Sequence, residues 1–166
     1  MLGAIPSAGW AGGLGRASRA RYSGALFLSL VQVALLTHAG LGEALLAVVE
    51  HIYGDRPAAL LSLSPAGDDL APLRARLQEL IDAAGPDRPL LILCDILGAS
   101  PANALPKTWT NPWARVIYGL NLPMLLRALS RREQWEGLPE LVAEGGRAAI
   151  QCHPQSVVES VSALDW

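Results

Sequence analysis

The chain has 166 residues, of which 51% are apolar and 17% charged, with a formal net charge of −2. That length fits one domain with or without a tail, and the apolar share excludes a disordered chain. The small net charge argues against a nucleic-acid binder. Two cysteines do not make a disulfide scaffold, and no C-x-x-C or H-x-x-x-H spacing marks a metal site.

The charge is unevenly placed. Residues 1–37 hold Arg16, Arg19 and Arg21 and no acid, so the remaining ten bases and all fifteen acids lie beyond them. Residues 1–24, rich in Gly, Ala and Ser, read as a flexible extension. Gly12, Gly13 and Gly15 follow no strand, so they make no phosphate loop. The following SGALFLSLVQVALLTHAG imitates the basic and apolar regions of a signal peptide. It is too short to span a bilayer comfortably. The competing reading, a buried parallel strand over 31–37, is preferred, because cleavage after Ala39 would discard a turn that carries chemistry.

From there the pattern alternates. A helix is expected over 41–54, with Leu41, Leu45, Val48, Val49 and Ile52 on its buried face and Gly54 as its stop. Residues 58–64 read as a strand by position, although their composition alone permits a helix. Asp68 or Asp69 caps a second helix carrying Leu70, Leu73, Leu77, Leu80 and Ile81, which Gly85-Pro86 terminates. Residues 89–96 form a third strand, followed by a turn and a short helix broken near Pro106. Residues 114–120 form a fourth strand. A helix then starts at Pro123, with Leu126 and Leu129 inward. A last helix, drawn from LPELVAEGGRAAIQC, precedes an optional edge strand. The alternation predicts an α/β, doubly wound, mostly parallel sheet with helices on both faces. The expected division is an extension over 1–28, one domain over 29–152 and a tail over 153–166.

Such sheets bind ligands beyond the carboxyl ends of their strands. Three predicted ends carry polar turns: Thr37-His38-Ala39-Gly40, Cys94 to Pro101, and Gly119 to Pro123. An Asp at one tip can accept the Nδ1 hydrogen of a His at a neighbouring tip. That fixes the tautomer and leaves Nε2 as the nucleophile. Gly98, Ala99 and Ser100, expected to open a helix, offer N–H groups and a hydroxyl to an anion. Together these parts suit a transient phosphohistidine. Asn121 shapes the third turn and stands as a supporting residue with Thr37. Cys94 reads as a small buried apolar residue. His51 reads as a surface or packing residue, and His153 as a tail residue without a role. Trp109, Trp113 and Trp135 belong to the core or to a subunit contact.

The stretches THAGLGEALL, CDILGASPANA and YGLNLPMLL, in this order across roughly residues 31–150, resemble the signatures of the mannose-family IIA component of the bacterial phosphotransferase system. The resemblance implies that His38 accepts a phosphoryl group from the phosphocarrier HPr and passes it to a IIB component. It implies Asp95 as the residue that orients the imidazole and Ser100 as a residue beside the phosphoryl group. It further implies a cytoplasmic homodimer with no metal or organic cofactor. Where the family has G-G-S-P, this chain has Gly98-Ala99-Ser100-Pro101, so Ala99 must keep a negative φ. Two other uses of the same residues are a regulatory IIA protein that moves no sugar and the phosphocarrier subunit of a dihydroxyacetone kinase.

Overall fold

The structure is a computed structural model that describes residues 30–152. The predicted extension, the predicted tail and His153 lie outside the described residues. Strands β1 (Gln32–Leu36), β2 (Leu60–Leu63), β3 (Leu90–Cys94) and β4 (Ala114–Tyr118) form one sheet in the order β2-β1-β3-β4. All three pairings are parallel. The helices are α1 (Leu41–Tyr53), α2 (Ala71–Asp82), α3 (Leu122–Ser130) and α4 (Leu138–Ala148), with a single 3₁₀ turn over Ala102–Ala104. This is the predicted α/β class.

The central strands β1 and β3 are buried along their whole length. β3 is an unbroken apolar run and β1 is one after Gln32, as expected of strands covered on two faces. Alternate side chains then supply two separate cores. Val33, Leu35, Leu91 and Leu93 meet Leu46 and Val49 of α1, Leu125 and Leu129 of α3, and Val142 of α4. Ala34, Leu36, Leu90, Ile92 and Cys94 meet Leu73, Leu77, Leu80 and Ile81 of α2. Each Leu or Ile so enclosed contributes about 1.5–3 kcal/mol. Gln32–Leu36, within the run expected over 31–37, therefore form a central strand of the sheet.

Several local signals act as read. Gly54 ends α1, and Asp69 Oδ1 accepts the Ala71 N–H at 2.8 Å from one position ahead of Leu70, which takes the N-cap place of α2 in place of the expected aspartate and makes no side-chain cap bond. Three details differ. The inward face of α1 is Gly42, Leu46 and Val49, while Leu41, Val48 and Ile52 are exposed. The inward face of α3 is Met124, Leu125, Ala128 and Leu129, with Leu126 only partly covered. Among the described residues no edge strand follows α4. Trp109 and Trp135 pack at the margins of the two cores.

The order β2-β1-β3-β4 means that the chain winds outward on opposite sides of β1 and β3. The crevice of such a sheet lies at that reversal, beyond the carboxyl ends of these two strands.

Candidate functional site

The three predicted turns meet at that crevice, because ladder bonds continue past the strand ends. The Asp95 N–H donates to Leu36 O at 3.1 Å, the Gly119 N–H to Asp95 O at 3.2 Å, and the Thr37 N–H to Leu63 O at 3.0 Å. Asp95 is thereby fixed between the tips of β1 and β4. Its carboxylate points at His38. Oδ2 lies 2.7 Å from His38 Nδ1 and accepts the His38 backbone N–H at 2.7 Å. Oδ1 accepts the Ile96 N–H, also at 2.7 Å.

Burial of Asp95 (8% exposed) by itself raises its carboxyl pKa. The two hydrogen bonds from His38, the Ile96 N–H and the attraction of the imidazole outweigh burial and hold the carboxyl below its usual value. The group therefore stays an acceptor. A carboxylate on Nδ1 selects the tautomer with hydrogen on Nδ1 and a lone pair on Nε2. The imidazole itself is half open, with 49% of its side-chain surface exposed. The pair thus presents a fixed nucleophilic nitrogen at the rim of the sheet.

The loop after Asp95 turns on Gly98, whose φ of +84° places it in the left-handed region that favours glycine. Ala59 is the only described non-glycine residue with positive φ, so Ala99 meets the condition the sequence set for it. Asn103 laces this loop together. Its N–H donates to Ala99 O at 3.0 Å and its side-chain amide to Gly98 O at 3.4 Å. Asn103 is not among the residues expected at the site, and the signal for it is its place four residues beyond Ala99, from which an Asn can reach back to the turn. The expected helix after Ser100 is a single 3₁₀ turn with no side-chain cap. Ser100 itself is exposed on the loop.

Asn121 has a local task. Its Oδ1 accepts the Met124 N–H at 3.0 Å as the N-cap of α3, and its amide donates to Gly119 O at 3.4 Å. Thr37 is wholly buried; its hydroxyl donates to His38 O and accepts the Gly42 N–H, each at 3.0 Å. Cys94 lies under the site with its thiol pushed up to about 11, by burial first and then by the neighbouring Asp95 charge. His51 is exposed on α1, away from the crevice. Among the described residues no group of three or more His, Cys, Asp or Glu is placed to hold a metal ion. No described helix is long and apolar enough to cross a membrane.

Residues 32–144 match the model of the family described as PTS system fructose IIA component. Among solved structures, the chain is similar to phosphotransferase system component EIIA from Streptococcus agalactiae, with a TM-score of 0.64 and 23% identity over 74% of this chain and 97% of that one. It is also similar to the mannose/sorbose specific IIA subunit of the phosphotransferase system from Enterococcus faecalis, with a TM-score of 0.60 and 27% identity over 78% of this chain and 99% of that one. No curated protein matches the sequence.

Proposed function

The chain belongs to the PTS system fructose IIA component family, and on that premise we propose that His38 is its phosphoryl acceptor. The observation that carries this reading is the 2.7 Å contact between His38 Nδ1 and Asp95 Oδ2, which leaves Nε2 of a half-open ring for chemistry. The lone pair of neutral Nε2 attacks the phosphorus of phospho-HPr. The donor's P–N bond breaks as the Nε2–P bond forms, and the electron pair leaves with the HPr imidazole. His38 keeps its Nδ1 hydrogen, so the phosphorylated ring is cationic, and the Asp95 carboxylate balances that charge. Phosphoryl transfer asks for alignment and charge stabilisation more than for covalent help, and the fixed pair supplies both.

Gly98, Ala99 and Ser100 take the phosphoryl oxygens in this reading, by way of main-chain N–H groups and the Ser100 hydroxyl. Asn121 supports the crevice by holding the third turn. The phosphoryl group then passes to a IIB component for sugar uptake, in the cytoplasm and from a homodimer. No metal or organic cofactor takes part.

The test is label transfer from phosphoenolpyruvate through enzyme I and HPr to the full chain. The expected product carries an acid-labile, alkali-stable phosphoryl group that moves on to an added IIB component. His38→Ala is expected to take none, and a label retained in that variant overturns the assignment.

A further inference from the structure

Asp95 holds His38 from one side, and the opposite side is held by a residue with no chemistry of its own. Thr37 is polar yet fully buried at the end of β1. A hydroxyl has one hydrogen to give. Here it goes to His38 O at 3.0 Å, and the same oxygen accepts the Gly42 N–H at 3.0 Å. That N–H is one of the first-turn donors of α1 that has no partner within the helix. The main chain of His38 is thus gripped at its N–H by Asp95 and at its carbonyl by Thr37, with the Leu41 N–H joining at 3.3 Å.

The close approach of α1 depends on Gly42. A Cβ at that position would collide with Ser62 Oγ on β2 and stand 3.0 Å from Thr37 Oγ1. A side chain there would have to turn the Ser62 hydroxyl aside and press on Thr37 Oγ1. We propose that Thr37 is a positioning residue for phosphoryl acceptance at His38, seating the first turn of α1 through its hydroxyl, with Gly42 and Ser62 as the remaining walls of the seat. The proposal rests on the acceptor role of His38. Its physical content is that α1 and the acceptor turn move as one body. Loss of the hydroxyl leaves a buried N–H unpaired. The turn then relaxes, and the imidazole leaves its alignment with Asp95.

The experiment compares the full-length wild type, Thr37→Val and Thr37→Ser by rate of phosphoryl acceptance and by ¹⁵N imidazole spectra of the unphosphorylated protein. The His38 signals are assigned by their loss in His38→Ala. Thr37→Val is expected to accept phosphate about 10- to 100-fold more slowly, the scale of a small misplacement at a reacting centre. Its His38 signals are expected to move from the Nδ1-protonated pattern toward that of a free histidine. Thr37→Ser is expected to restore both.

A Thr37→Val protein with the wild-type rate and wild-type ring signals overturns the proposal. If Thr37→Val does not fold, Gly42→Ala is expected to shift the same signals, with partial return on adding Ser62→Ala; unchanged signals in Gly42→Ala likewise overturn it. A wild type that takes no label defeats the acceptor reading instead, and the ring signals still decide whether Thr37 aligns the imidazole.

Discussion

A single oxygen of Asp95 receives two hydrogens from His38, the ring Nδ1–H and the backbone N–H, both at 2.7 Å. One bond alone would leave the imidazole free to pivot. Two bonds to different parts of the same residue fix both where the ring starts and which way it faces. Asp95→Asn keeps the shape but weakens acceptance of both hydrogens and removes the charge that balances a phosphorylated ring. Phosphoryl acceptance is expected to fall about 10- to 100-fold, as for other partners that orient a functional histidine. Initial rates of label uptake decide this, with circular dichroism as the check on folding. An unchanged rate removes the orienting role.

The same contacts make folding sensitive to acid. The Asp95 carboxyl is held below its ordinary value by hydrogen bonds and the imidazole, against the opposing effect of burial. A group whose pKa is lowered on folding adds stability above its unfolded value, about 3.9 for Asp. That stability is lost as pH falls through the lower folded value. Denaturant melts from about pH 6 down to the acid limit should show a drop in the wild type that Asp95→Asn lacks. Parallel acid profiles for the two proteins would contradict it.

The sheet and its crevice were legible because β1 and β3 are apolar runs with no ambiguity of face, and because polar turns follow them. The inward face of α1 was legible only in part. The predicted stripe of Leu41, Leu45, Val48, Val49 and Ile52 includes Val49 of the buried face but leaves out Gly42 and Leu46, because composition does not rank two overlapping apolar stripes. The deciding feature is Gly42, which lets the helix approach β2 and so turns Leu46 and Val49 inward. The Asp95–His38 pair was legible from chemistry at two strand ends. The grip of Thr37 and the lacing by Asn103 were not, since both depend on hydrogen bonds that no pattern of apolar residues reports.

This rotation of α1 is measurable. Leu46 is 2% exposed and Val48 is 39% exposed. Leu46→Ala opens a cavity between α1 and the sheet and is expected to cost about 2–5 kcal/mol. Val48→Ala is expected to stay within about 0.5 kcal/mol. Chemical denaturation of both variants distinguishes the two faces, and equal losses would mean that the stripe including Val48 faces inward.

The loop beside Asp95 makes opposite demands at adjacent positions. Gly98 has a φ of +84°, and no side chain adopts that conformation without strain. Gly98→Ala is therefore expected to cost about 1–2 kcal/mol and to slow phosphoryl acceptance by shifting the loop. Ala99 stays out of the positive region, so a second glycine there adds only freedom to the unfolded chain. Ala99→Gly is expected to lower stability by about 0.4–1 kcal/mol and, since it keeps the main-chain N–H offered to the phosphoryl group, to slow acceptance less than Gly98→Ala does. Thermal melts and label uptake on both variants check the contrast.

Cys94 lies next to Asp95 in sequence, yet its environment removes it from the chemistry. Its side chain is buried in the α2-side core, and its thiol is pushed up to about 11 by burial and by the Asp95 charge. At about pH 8 only about one such thiol in a thousand is ionised, and the thiolate is the reactive form. The chain's other cysteine, Cys152, is exposed. A disulfide reagent is therefore expected to titrate one thiol promptly in the native protein and the second only after denaturation. In Cys152→Ser the prompt reaction should vanish, and phosphoryl acceptance should be unaffected by the reagent. A prompt reaction in Cys152→Ser, with loss of acceptance, would place an accessible nucleophile beside His38 and require a redox-sensitive site in place of an inert wall.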